Sequence, residues 1–216
     1  MPSPNTIKTF TEDAYYHVYN RGVEKRRIFE DAEDYKKFLY YLKIYLTPTD
    51  ILHQQQPLMR TYIVKNNLAD EVNLLSFCLM PNHFHLLIHQ KNKDGISKLM
   101  KQLATAYSMY FNKRYERIGT LFQGVYKAVM VTSDEQLLHL SRYIHLNPIA
   151  RGVSIQDFQW SSYKSYVNQD GPVWVNTSPI LDFFNNQNPN FSYQNFVEKS
   201  IETTTNIGQL TLDQSD

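Results

Sequence analysis

"LLSFCLMPNHFHLLIHQ", residues 74–90, sets two apolar runs on either side of Pro81 and Asn82. Apolar runs of this length about a proline-led turn signal two paired strands, 74–80 and 83–90. Successive side chains on a strand point to opposite faces, so His83 and His85 project together while Phe84 and Leu86 face the other way. Two imidazoles on one strand face can hold a metal ion between them. They can equally be two hydrogen-bonded histidines of a half-buried sheet, and the strand alone leaves both readings open. His89 continues the face at the strand end, where solvent is expected, and His17 and His53 carry no comparable signal.

Upstream, "AYYHVYNRG" (14–22) is aromatic and β-branched and ends in Asn-Arg-Gly, the pattern of a first strand running into a turn. "DAEDYKKFLYYLKIYL" (31–46) spaces Phe38, Leu39, Leu42 and Tyr45 helically behind acidic first-turn residues. Residues 47–72, with "TPTD" and "HQQQP", have no sustained period and are expected to form a long loop or insertion. Downstream, Ile96, Leu99, Met100, Leu103, Tyr107 and Phe111 make the apolar stripe of a second helix. "GTLFQGVYKAVMV" (119–131) is a further strand candidate. "SDEQLLHLSRYIHLNPIARG" (133–152) opens with Ser133 and Gln136 in capping-box register and is a helix that ends or kinks near Pro148. The order β, α, β, β, α, β, α predicts an α+β, ferredoxin-like or RRM-like sandwich: a mainly antiparallel sheet with helices on one face.

From about residue 153 the composition shifts to Asn, Gln, Pro and aromatics. We expect a core domain over 10–152 and an acidic C-terminal extension over 153–216, with short helices near 178–185 and 192–202 and a loose tail. The whole chain of 216 residues carries a formal net charge of +1, but the charge is uneven. Residues 91–127 hold eight Lys and Arg against two acids, and residues 153–216 hold two against seven acids. A basic middle suits a polyanionic partner that the total charge conceals. Cys78 is the single cysteine, so an internal disulfide and the multi-cysteine zinc sites are excluded. "MPSPNTIKTF" lacks the apolar core of a signal peptide and no run reaches the ~20 apolar residues of a membrane span, so a soluble, cytoplasmic protein without a membrane partner is expected.

On the 133–151 helix, ~100° per residue brings Gln136, His139, Tyr143 and Asn147 onto one face, opposite the apolar Leu137, Leu140 and Ile144. His145 lies across from Tyr143. Such a stripe is the composition of a plain solvated face, yet beside the paired histidines it suggests phosphate chemistry. A phenol with an ordinary pKa near ~10 attacks a phosphoester only when a cation polarises the phosphate, and two imidazoles plus an amide oxygen leave a metal open positions for that substrate. Neither the P-loop nor the dinucleotide fingerprint occurs, consistent with a reaction that needs no nucleotide cofactor.

At these residues the chain resembles a known family. "LMPNHFHLLIH" is similar to the His-hydrophobic-His (HUH) motif of single-tyrosine transposases, and "RYIHLNPIARG" resembles their catalytic helix in the form seen in REP-associated tyrosine transposases. "VYNRGVEKRRIFEDAEDYKKFL", "YFNKRYERIGTLFQGVYKA" and "WSSYKSY" fall in the matching order, and the likeness runs from about residue 10 to 200. The resemblance implies a metal-dependent endonuclease and strand transferase that acts on single-stranded DNA beside hairpins through a 5′-phosphotyrosine. It carries His83 and His85 over as metal ligands with Mg²⁺ or Mn²⁺, Tyr143 as nucleophile, Asn147 as third ligand and Arg21 as a residue near the DNA. Val125, in "QGVYKA", stands where many relatives have arginine, and the 47–72 segment is longer than the pattern suggests.

The basic middle interleaves Lys101, Arg114 and Lys127 with Tyr110 and Tyr115, the pairing of cations and aromatics that single-strand binding uses. We therefore expect these five to contact DNA along with Arg21. Tyr107 shares the apolar stripe and belongs to the core. Two rival readings remain: a hairpin-binding regulator that kept the fold without turnover, and a zinc hydrolase, which would need a further strong ligand and lacks His-Glu-x-x-His. The sequence leaves monomer and homodimer open, and with them whether Tyr143 serves its own subunit or a partner's.

Overall fold

The expected hairpin forms as β2 (Val72–Met80) and β3 (His83–Gln90), antiparallel through the Pro81–Asn82 turn with Met80 opposite His83. The computed structural model describes residues 9–55, 66–168, 170–185 and 188–203. β1 (Ala14–Arg21) lies against the other side of β3, and β4 (Lys127–Val131) against β1, giving a four-stranded antiparallel sheet in the order β2-β3-β1-β4. This is the antiparallel α+β sandwich that the element order predicts, with one correction: helices cover both faces of the sheet, not one, because both sides of β2 and β3 carry apolar residues.

Alternation along the strands sorts the side chains into two cores. Tyr16 and Val18 of β1, Phe77 and Leu79 of β2, and Phe84, Leu86 and Ile88 of β3 face helices α1 (Ala32–Leu46) and α3 (Gly95–Arg114). Asp31 caps α1 by accepting from the N–H groups of Glu33 and Asp34, which satisfies two otherwise orphaned donors. On the opposite face, Leu75, Cys78, Met80 and Leu87 meet α4 (Asp134–Leu146). Helix α4 starts on the predicted box: Ser133 Oγ accepts from Gln136 N–H, and Gln136 Oε1 accepts from Thr132 N–H. It gives way at Asn147 to a 3₁₀ turn (Asn147–Arg151) opened by Pro148.

The C-terminal segment shares this second core. Its helices α5 (Tyr163–Val167), α6 (Ser178–Leu181) and α7 (Tyr193–Thr203) contribute Tyr163, Tyr166, Ile180, Tyr193 and Val197. The chain around Trp160–Ser162 also bonds the open edge of β2, with Leu79 N–H donating to Trp160 O and Ser162 N–H to Phe77 O. An edge strand left bare would invite pairing with another chain.

Two local expectations are corrected. The strand expected from residue 119 begins only at Lys127, because Gly119 and Gly124 take positive φ angles of 97° and 66° and turn the chain out of ladder geometry, leaving one bridge between Gly22 and Phe122. Within the 47–72 segment, residues Thr49–Gln55 form helix α2, which buries Leu52; a single seven-residue helix is too short to show a period. Residues 56–65 of that segment and the tail from 204 lie outside the described residues.

Candidate active site

Register places the histidines. Arg21 lies opposite His83 and Tyr19 opposite His85 across β1 and β3, and Lys127 lies opposite Tyr19 across β1 and β4. All of these side chains leave the sheet on the face covered by α4. The His83 and His85 rings stand 5.0 Å apart, edge to face. From α4, Tyr143 brings its ring 5.6 Å from that of His85, and the Asn147 side chain, one turn further on, lies close enough to His85 to act on its pKa. Asn147 Nδ2 donates back to Tyr143 O at 3.0 Å, so its amide is fixed by its own helix. The four residues singled out as ligands and nucleophile are thus brought together from two elements far apart in sequence.

Hydrogen bonds set which ring nitrogen of each histidine is available. His83 Nδ1 is 2.8 Å from Asn82 Oδ1, and Arg151 Nη2 donates to the same oxygen at 3.0 Å. Since an amide oxygen only accepts, His83 Nδ1 carries the proton and Nε2 the lone pair. His85 Nδ1 is 2.9 Å from His17 Nε2, both rings being fully buried. Burial lowers the His17 pKa to about 3; it likewise holds His85 well below the ordinary imidazole value, with the neighbouring His83 and His17 adding to the effect and Asn147 opposing it. Both rings are therefore neutral, and one proton is shared between them. When His85 donates it, Nε2 of His85 also presents a lone pair, the state in which imidazole ligates a metal. Two such nitrogens and an amide oxygen fit a divalent cation with open positions. Among the described residues no group of three or more His, Cys, Asp or Glu could hold a metal, so a site here depends on the Asn147 amide.

His17 and Asn82 escaped the sequence reading. His17 lies diagonally across from His85, a neighbour that strand register alone reveals. Its one legible signal was its place in "YYHVY", a polar residue inside an apolar strand, as with His85.

The expected DNA-contacting residues divide. Arg21 and Lys127 sit beside the histidines: Arg21 Nε donates to Gln123 Oε1 at 2.6 Å, and Lys127 Nζ lies 6.0 Å from the Tyr19 ring. Lys101 is exposed on α3, on the other side of the sheet. Tyr110, Arg114 and Tyr115 are also on that side and converge on the buried Asp34 carboxylate. Tyr110 and Arg114 Nη1 donate to Oδ1 at 3.0 and 2.8 Å, and Tyr115 donates to Oδ2 at 2.8 Å. The Asp31 carboxylate, held below its ordinary pKa chiefly by Arg114, completes the cluster. A charge stretch read along the chain shows cations without the acids that α1 folds against them. Of the polar stripe on α4, His139 turns outward to Arg142; His145, across the helix from Tyr143, is buried, its pKa lowered by burial to about 3. His145 bonds Tyr193 and Ser162, and Tyr193 in turn donates to Ser141, so the C-terminal segment grips the helix that carries Tyr143.

Comparison with known proteins finds one family and similar solved structures. A sequence model described as "Transposase IS200 like" matches residues 11–147. The fold is similar to a solved REP-associated tyrosine transposase bound to a REP hairpin, at 12% identity and a TM-score of 0.50, covering 77% of this chain and 91% of that one. A putative transposase from Deinococcus radiodurans aligns at 15% identity with a TM-score of 0.37, over 67% of this chain and 95% of that one. No curated protein matches.

Proposed function

Because the chain belongs to the IS200-like transposase family, we propose that it cuts and rejoins single-stranded DNA beside a hairpin through a covalent bond to Tyr143. The observation that carries this reading is the approach of the Tyr143 ring to His85, at 5.6 Å, with Asn147 one turn further along the same helix and close to the same histidine. The Tyr143 hydroxyl oxygen bonds to phosphorus as the bond from phosphorus to the neighbouring 3′-oxygen breaks. The phenolic proton leaves to solvent and the 3′-oxygen takes one up, giving a 5′-phosphotyrosine and a free 3′-hydroxyl. One phosphoester replaces another, so attack by a 3′-hydroxyl reverses the step and rejoins strands without a nucleotide. A divalent cation, Mg²⁺ or Mn²⁺, held by His83, His85 and Asn147 would polarise the phosphate. Asn82 and His17 keep the two imidazoles turned with Nε2 toward that position, and Asn147 ties the ligand set to the turn that carries the nucleophile. Arg21 and Lys127, beside the histidines, offer positive charge to the phosphates that flank the scissile one.

Incubating the protein with a labelled hairpin bearing a single-stranded flank tests the proposal. With Mg²⁺ or Mn²⁺ an SDS-resistant adduct is expected. It should disappear in excess EDTA and in His83→Ala or His85→Ala, while most DNA affinity persists. Full cleavage in EDTA would remove the metal from the account. A wild-type protein that binds the hairpin and never forms an adduct would instead be the regulator.

A further inference from the structure

The loop between β1 and α1 carries Arg26 and Arg27, which the histidine site does not use. It is folded tightly onto the hairpin turn. Ile28 and Phe29 N–H both donate to Pro81 O, Gly22 N–H donates to Asn82 O, and Asn82 Nδ2 donates to Lys25 O. Gly22 permits this return, since a Cβ there would lie 2.3 Å from Arg26 O. The loop thus shares the end of the sheet with His83, on the side of α1 and α3. There it walls a cleft of about 470 Å³ with Arg27, Glu30 and, from the end of α3, Phe111, Tyr115 and Arg117. That volume falls in the roughly 300–1,000 Å³ range of ligand clefts.

The charges in the cleft are unbalanced. Arg27 pairs with Glu30 at 3.3 Å. Arg117 is anchored through Nη1 to Asn112 Oδ1 at 3.1 Å and lies 5.8 Å from the Phe111 ring, and neither of these partners carries a charge. Arg26 Nε is buried and has no hydrogen-bond partner among the described residues. Arg26 also lines the cleft, so three guanidinium groups stand there against the single carboxylate of Glu30. Guanidinium groups also suit phosphate through paired donors.

We infer that the Arg26–Arg27–Arg117 cleft binds a phosphodiester of the DNA strand as it leaves the histidine site across the Pro81–Asn82 turn. This rests on the DNA reading above but involves neither metal nor Tyr143. The cleft supplies affinity and holds the flank in register, while the chemistry stays on the other face of the sheet.

Two measurements test it. In the first, the arginine Nε–H resonances of the wild-type protein are followed as the dinucleotide dTpT is added, with inorganic phosphate as the comparison. The Arg26 and Arg117 signals should shift and saturate with dTpT at lower concentration than with phosphate. In the second, Arg26→Gln/Arg117→Gln is titrated with the flanked hairpin over a range of salt. Affinity should fall about tenfold, and the slope of log affinity against log salt should shrink by about 0.7 for each single-strand phosphate that the variant no longer neutralises. The Tyr143 adduct should still form at saturating DNA, which separates this site from the catalytic one. Arginine resonances that stay unmoved by dTpT, equal response to phosphate and dTpT, or an unchanged salt slope in a variant with wild-type Tm would each overturn the inference.

Discussion

Asn82 fixes His83 by one atom: its Oδ1 accepts from His83 Nδ1 and from Arg151, so the ring has no choice of tautomer. Removing such a partner of a metal-ligating histidine typically costs 10- to 100-fold in metal affinity. Asn82→Ala should therefore weaken Mn²⁺ binding, read by titration calorimetry, by about that factor, and an unchanged affinity would show that the tautomer is set elsewhere. His17 stands in the same relation to His85. Because the two share one proton and both are buried neutral, His17→Phe should also weaken Mn²⁺ binding. The sequence made His83 and His85 legible because i and i+2 on a strand share a face. It hid His17 because that residue meets His85 only after β1 pairs with β3.

Helix α4 is where local signals sufficed: Ser133 and Gln136 marked its start, Pro148 its end, and the phase of Tyr143 and Asn147 followed from the helical period. Its anchoring did not, since His145, Tyr193 and Ser141 come from segments some fifty residues apart. Tyr193→Phe removes the hydroxyl bonded to both His145 and Ser141 and should cost about 1–3 kcal/mol, measured by urea unfolding. Helix α3 shows the opposite case. Its cations and tyrosines suggested a DNA surface, but Tyr110, Arg114 and Tyr115 serve the buried Asp34 of α1. Arg114→Gln should accordingly lower Tm by several degrees while leaving the salt slope of DNA binding as in wild type. Lys127→Gln, from the histidine face, should do the reverse; a shallower slope in Arg114→Gln would return Arg114 to the interface.

Across the whole molecule, burial decides the response to pH. His17 and His145 have folded pKa values lowered to about 3, and His85 is lowered as well, all chiefly by burial. The unfolded chain protonates these rings near the ordinary value of ~6.5 while the folded chain does not. Their contribution to stability is thus complete above that pH and is lost progressively as pH falls from about 6.5 toward 3, each histidine adding a slope that approaches about 1.4 kcal/mol per pH unit. Urea unfolding at pH 7 and pH 5 should show the loss, and equal stabilities would contradict the burial of these rings. The antiparallel α+β sheet was legible from element order and two-residue periodicity. The second core was not, because the C-terminal segment shows no long period and its tyrosines find their partners on β2 and α4. Among the described residues no helix is long and apolar enough to cross a membrane.

The central claim is that Tyr143 alone among the chain's 16 tyrosines becomes joined to DNA. Tyr110 and Tyr115 compete because they sit among the cations of the basic middle, yet burial and the Asp34 carboxylate raise both phenols above their ordinary pKa, which makes them poorer nucleophiles. The decisive measurement is peptide mapping of the trapped covalent adduct, with Tyr143→Phe as the companion variant. The account predicts DNA on the peptide that contains Tyr143, and no adduct in Tyr143→Phe with hairpin binding nearly unchanged. DNA on a peptide containing Tyr110 or Tyr115, or an adduct that survives in Tyr143→Phe, would contradict it.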